Sequence, residues 1–284
     1  MSPSLQTFSY RLARPGYSVF PGAHPGEMVG SGQLFKRHES LLASPDPRRI
    51  DLRASLLDPF GGYRVRVFQQ HSKLNVYAVA DLSASMGSAG IQDKRQTLAE
   101  LVLSIAESAR QAGDSFGFIG CGERLDDRDR LPAGAPMPAV RRLTDRLRSQ
   151  APQAGSAAMA YAGPLLPTRR SLVFLISDCH FSLGSLPAIL QPLSRHAVVP
   201  LVLWQAAETA GLPDWGLVRF QDAENRRSRT MLTRPALKQR IADSFTARRQ
   251  QLRQGFRRFG MEPLFLTGPY RAELLTAYFL GQPL

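Results

Sequence analysis

The stretch Val76–Gly90, VYAVADLSASMGSAG, decides how this chain is read. The run Leu74–Ala80 is apolar with almost no alternation, the pattern of a strand covered on both faces. It ends on Asp81, and Ser83 and Ser85 follow at alternate positions before glycines. A strand that is buried on both faces gains nothing in packing from an acid and two hydroxyls. That spacing around a tight loop can point three oxygen groups the same way. Such a set suits a hard cation, Mg²⁺ above all. It also suits a helix cap or a closed turn. D-x-S-x-S by itself is a weak signal, and its place between a buried strand and a helix is what strengthens it.

The same ending recurs downstream. Ser171-Leu-Val-Phe-Leu-Ile-Ser-Asp178 is an apolar strand closed by an acid. Another buried strand is expected at Ala197–Trp204, and further strands at Ser115–Gly120 and Pro263–Thr267. Helices are expected between them. One is capped by Asp93, with Leu98, Leu101, Val102, Ile105 and Ala109 at a 3.6-residue period. A short basic one carries Val140, Leu143 and Leu147, and helical pieces lie at Ser156–Leu166 and Leu186–Leu193. A long helix starts at Pro235 and carries Leu237, Ile241, Phe245, Leu252, Phe256 and Phe259 to Gly260. A final one spans Arg271–Leu280. Residues 123–137 read as polar loop and 211–233 as a polar stretch with an edge hairpin.

Alternating buried strands and amphipathic helices predict an α/β domain with a mostly parallel, doubly wound sheet flanked by helices. In such sheets ligands bind beyond the carboxyl ends of strands, where the strand order reverses. Asp81 and Asp178 share one crevice if their strands are neighbours there. Residues 1–60 lack a clear period and read as an extended lead-in, followed by an alternating strand at Tyr63–Val67. The expected division is therefore an N-terminal extension with an edge strand, 1–70, and a main domain with C-terminal helical elaboration, 71–284.

At 43% hydrophobic and 21% charged, the 284 residues have globular composition. Cys121 and Cys179 form no C-x-x-C pair, which argues against zinc and dithiol chemistry. No apolar run approaches the length of a membrane span, and the start lacks a signal-peptide core, so a soluble cytoplasmic protein is expected. The net charge of +13 permits anionic partners. The arginines are scattered, at Arg48–Arg49, Arg64 and Arg66, Arg141–Arg142, Arg226–Arg227 and Arg248–Arg249, without aromatic interleaving. That pattern favours solvated faces and an acidic protein partner over nucleic acid.

Asp81-Leu-Ser83-Ala-Ser85 resembles the metal-ion-dependent adhesion site of von Willebrand factor A domains. The resemblance implies that family's doubly wound fold and a magnesium ion held by Asp81, Ser83, Ser85, a hydroxyl from a middle loop, and Asp178. The middle-loop position falls on Ser156, where the family has threonine. The run Arg48-Arg-Ile-Asp51-Leu-Arg53-Ala-Ser, then Val65-Arg-Val-Phe68, is similar to the domain-of-unknown-function 58 family, with Leu52 at the place of its usual tryptophan. Phe220-Gln-Asp222-Ala-Glu224 and Tyr270-Arg-Ala-Glu-Leu-Leu extend that likeness, over roughly residues 28 to 280. It implies a partner, a MoxR-type AAA+ ATPase, and a role in maturing or remodelling an acidic client protein, methanol dehydrogenase for the family's methanol-oxidation members.

Three function classes follow. The first is a non-enzymatic, metal-dependent protein-binding module, with arginines such as Arg53, Arg141 and Arg142 steering an acidic partner. The second is an RNA-binding protein on the same fold. The third is a Mg²⁺-dependent hydrolase, or one built on Ser83 and His180. The hydrolase lacks a nucleophile elbow, and the chain has no phosphate-binding loop of NTPase type. Gly117-Phe-Ile-Gly120-Cys-Gly122 has its glycines in the wrong order for a dinucleotide.

Overall fold

The computed structural model describes residues 6–10, 21–30, 34–87, 93–150, 155–204, 215–221 and 228–281. The chain divides into two compact units.

The smaller unit is Arg11–Leu74 with Ala112–Asp114. It holds β1 (Pro21–Gly30), β2 (Leu34–Ser40), the short helix α1 (Leu52–Leu56) and β3 (Arg64–Ser72). The strands form an antiparallel sheet in the order β1-β3-β2. The segment expected to be an extended lead-in thus carries two strands, and the strand expected at an edge is the middle one. Register shifts explain why the sequence hid them. They fall between Pro21 and His24, Pro25 and Val29, and Phe35 and Arg37. Each such irregularity breaks the two-residue alternation.

Asp51 organises this unit. Its carboxylate caps α1 by accepting from Ala54 N (3.1 Å), and it takes Arg66 Nε at 2.7 Å and His38 Nε2 at 3.1 Å. Those three bonds, Arg66's first, hold its pKa well below the usual carboxylate range. Ser55 Oγ donates to Asp51 O (2.7 Å) and accepts from Arg64 N (2.8 Å), which fastens α1 to β3. The Asp51–Ser55 motif is therefore a structural bracket.

The larger unit is Met1–Tyr10, Asn75–Gln111 and Ser115–Leu284. It runs β4 (Asn75–Asp81), α2 (Lys94–Gln111), β5 (Ser115–Cys121), β6 (Leu125–Leu131), α3 (Met137–Ser149), β7 (Leu172–Ser177), α4 (Leu186–Leu190) and β8 (Ala197–Leu203). There follow β9 (Gly216–Gln221), β10 (Ser228–Thr233), α5 (Pro235–Arg257), β11 (Leu264–Leu266) and α6 (Ala272–Phe279). Six strands form one sheet in the order β11-β8-β7-β4-β5-β6. Every pairing is parallel except β5 with β6. β9 and β10 make the expected hairpin as a separate two-stranded sheet. Residues 222–224 of the quoted C-terminal run, and Arg226–Arg227, lie outside the described residues.

Alternation along the strands sends side chains to both faces. Tyr77, Val79, Val173, Leu175, Val198 and Val202 pack with α4 and with Leu252 and Phe256 of α5. Phe174 turns the other way, with the rings of Phe8 and Phe279 centred 5.8 and 6.1 Å from its own. On α2, Leu98, Leu101, Val102, Ile105 and Ala109 are buried, as their period predicts. Gly260, at φ 72°, ends the long helix α5, where a side chain would be strained.

The loop expected at 123–137 contains the edge strand β6. Its charged residues masked it: Asp126, Asp127 and Arg128 are exposed, as an edge strand facing water requires. The glycines of β5 also find their reason here. A Cβ on Gly117 would meet the Tyr77 ring at 2.5 Å, and one on Gly120 would meet Leu82 Cδ1 at 2.6 Å. They are spacers for packing.

Candidate functional site

The strand order reverses between β4 and β7. From β4 the chain moves to β5 on one side, and from β7 to β8 on the other. Ala80 lies opposite Ile176, so Asp81 and the Ser177–Asp178 pair leave the sheet side by side. This is the crevice that such topology offers to a ligand.

Four of the five expected residues meet there. Asp81 is 1% exposed and Asp178 fully buried. Ser83 Oγ lies 3.1 Å from Ser85 Oγ, and Ser85 Oγ donates to Asp178 Oδ1 at 3.1 Å. Asp81 Oδ1 accepts from Ser83 N at 2.9 Å. Burial, and next the charge of Asp178, push the Asp81 pKa up to about 6. Ser156 precedes a 3-10 turn, Ala157–Tyr161, whose Ala158 N donates to Gly122 O just past β5. That puts it at the same end of the sheet, but no hydrogen bond joins its hydroxyl to the other four among the described residues.

Three residues that the sequence did not single out complete the site. Lys94 Nζ donates to Asp178 Oδ2 at 2.9 Å, with the lysine side chain only 3% exposed. Ser177 Oγ donates to Asp81 Oδ2 at 2.7 Å and accepts from Cys179 N at 2.9 Å, bridging the two strand ends. Trp204 Nε1 donates to Asp178 O at 2.8 Å. Cys179 itself sits at φ 54°, a conformation costly for a side-chain-bearing residue. Its carbonyl accepts from Arg248 at 2.8 Å, and the same guanidinium holds Phe181 O. Burial pushes the Cys121 and Cys179 thiols far up, so neither provides a thiolate near neutral pH.

Two cavities open nearby, one lined by Asp81 and one by the residues that follow Asp178 in the chain. One, of about 20 Å³, is lined by Asp81, Ser83, Arg95 and Gln150 among others and has room for about one water. The other, of about 380 Å³, is lined by His180, Phe181, Ser182, Ser244, Phe245 and Arg248. An arginine stands in the wall of each. Arg141 and Arg142 are exposed on α3, and Arg53 belongs to the smaller unit.

Residues 49–251 match the model of the family described as "Protein of unknown function DUF58". The chain belongs to the DUF58 family. A relative from Paracoccus denitrificans, named "Uncharacterized protein in moxR 3'region", is 35% identical over 99 residues, which cover 35% of this chain and 94% of that protein. Among solved structures, the chain is similar to an aerotolerance-related membrane protein from Bacteroides fragilis, with 16% identity, a TM-score of 0.44 and coverage of 74% of this chain and 98% of that one. It is also similar to the conserved hypothetical protein BatB from Bacteroides thetaiotaomicron, with 12% identity, a TM-score of 0.42 and coverage of 73% and 97%.

These names correct the expectation of a cytoplasmic protein, since one of the similar structures is that of a protein named for a membrane. No helix among the described residues of this DUF58 chain is long and apolar enough to cross one. The expectation rested on the lack of an apolar span and of a signal-peptide core in the sequence. A missing span does not fix a compartment, because a domain held at a membrane by other means needs none.

The implied Mg²⁺ can be tested against this DUF58 site by charge. The oxygen donors are of the right kind for a hard cation. Among the described residues, however, no three His, Cys, Asp or Glu side chains gather as metal ligands. Asp178 also already holds an ammonium group. Two carboxylates and Lys94 leave one net negative charge, and a divalent ion would sit beside a buried cation. With Lys94 in place the residues do not fit the ion.

Proposed function

We propose that this chain is a non-enzymatic protein-binding module of the von Willebrand factor A type. It works alongside a MoxR-type AAA+ ATPase in maturing or remodelling a client protein, and it docks its partner at the crevice between β4 and β7. The observation that carries the proposal is the pair of buried acids at neighbouring strand ends across the reversal, with a cavity lined by Asp81 and another lined by the His180–Ser182 segment that follows Asp178. The relative in a moxR 3' region supports the class of partner. The arginines in the cavity walls and the net charge of +13 suit an acidic partner surface. A hydrolytic role finds less support, because the Ser83 hydroxyl lies against another hydroxyl and both thiols are buried.

The test is complex formation with a MoxR-type ATPase from the same source, followed by size-exclusion chromatography and by ATP turnover. Asp81→Asn and Arg248→Glu should each lose the complex while still showing a folded circular dichroism spectrum. Binding at wild-type strength by both would remove the crevice from the proposal. Failure of the wild-type chain to bind would remove the ATPase.

A further inference from the structure

Lys94 is placed against the usual preferences. It opens α2, where the helix dipole favours acids and disfavours cations. It is also buried, which for a lysine demands a specific partner. Only four of the 36 basic residues are lysines, Lys36, Lys73, Lys94 and Lys238. Of these four, Lys36 is exposed, Lys73 and Lys238 are half-buried, and Lys94 alone is buried among the described residues. Its partner Asp178 is 84 residues away in sequence and also binds Ser85 Oγ and His180 N. The ammonium is therefore knitted into the cluster of Asp81, Ser83, Ser85 and Asp178.

We infer that Lys94 is a built-in cation that takes the role of a divalent ion in this crevice, so that the crevice is assembled without metal. The oxygens of Asp81, Ser83, Ser85 and Asp178 remain a latent cation site, which opens when the ammonium is removed. The inference concerns the site of the proposed docking but stands apart from it, since Mg²⁺ alone is the probe and no partner is needed.

The experiment measures Mg²⁺ binding by calorimetry and by thermal shift on the full chain and on Lys94→Gln and Lys94→Arg. Wild type and Lys94→Arg should be silent in millimolar Mg²⁺. Lys94→Gln should bind Mg²⁺ at least about tenfold more tightly, because the buried repulsion is gone. Should Lys94→Gln be unfolded without metal, recovery of its circular dichroism in Mg²⁺ supports the inference, and no recovery overturns it. Mg²⁺ binding by wild type as tight as by Lys94→Gln overturns it too. So does a folded Lys94→Gln that ignores Mg²⁺.

Discussion

Asp51 in the smaller unit and Asp81 in the larger are both strand-or-turn acids with low exposure, yet their environments drive them in opposite directions. Asp51 takes a guanidinium, an imidazole and a helix N–H, and its pKa falls. Asp81 takes a backbone N–H and a serine hydroxyl, faces a second carboxylate across the strand reversal, and rises to about 6. The first acid is satisfied by its neighbours and stabilises the local fold. The second is charged at neutral pH at a cost to the fold, because burial and the neighbouring carboxylate both oppose its ionisation. The 2.9 Å pair of Lys94 with Asp178 is what makes that concentration of charge tolerable.

The sharpest way to break this comparison is Asp178→Ala. It strips a buried ammonium of its carboxylate, and removal of one partner from such a pair costs about 3–5 kcal/mol. Asp51→Ala should cost less, since Arg66 is 55% exposed and regains water. Lys94→Met combined with Asp178→Leu should recover most of the loss, because no lone charge is left inside. Urea melts of the four proteins decide it. An Asp178→Ala variant no less stable than Asp51→Ala would mean that the crevice is not the strained region.

Which parts were legible in the sequence follows from the same contrast. Asp81 and Asp178 stood out because each ends a run of buried apolar residues, and the runs pair as neighbours. Lys94 did not stand out. A lysine near a helix start reads as solvated, and only the packing of α2 against β4 and β5, which brings its first turn to Asp178, puts it inside. The available signal was its position in a first helical turn, against the dipole. Ser177 was hidden as the last residue of an apolar strand, although its hydroxyl joins the two acids' strands. The mostly parallel sheet could be read from strand–helix alternation. β6 could not, because the charge of an edge strand matches that of a loop, and β1 and β2 could not, because of their irregular registers.

A pH series sharpens the contrast with a smaller effect. The Asp51 value is depressed, so its stabilisation is complete above the ordinary 3.8 and is lost as pH falls below it. The Asp81 value is raised, so the folded chain takes up a proton before the unfolded one does. Its contribution to stability grows as pH falls from about 7 towards 4, by about 3 kcal/mol in all, from roughly two pH units at 1.36 kcal/mol each. Hydrogen exchange on peptides covering residues 51–68 and 75–82 should show protection lost below pH 4 in the first and gained between pH 7 and 5 in the second. Asp81→Asn should flatten the second profile. Parallel profiles in wild type would refute the assignment of opposite shifts.

The smallest expected effect concerns Leu52, next to Asp51. The resemblance to the family places a tryptophan there, yet the leucine is 70% exposed among the described residues, with its neighbours Leu56 and Phe60 at 87% and 90%. An exposed side chain gains little from added apolar area, and surface changes away from caps and cores stay within about 0.5 kcal/mol. Leu52→Trp should therefore leave the urea midpoint almost unchanged, and the fluorescence it adds should be that of a solvated indole. Asp51 would still cap α1, because the cap depends on its carboxylate and on Ala54 N and not on what residue 52 carries. A blue-shifted emission from the introduced indole together with a higher midpoint would show that it finds a packing surface. The smaller unit would then have an apolar surface able to take a large ring, and the contrast between a purely structural acid region and a binding crevice would need to be redrawn.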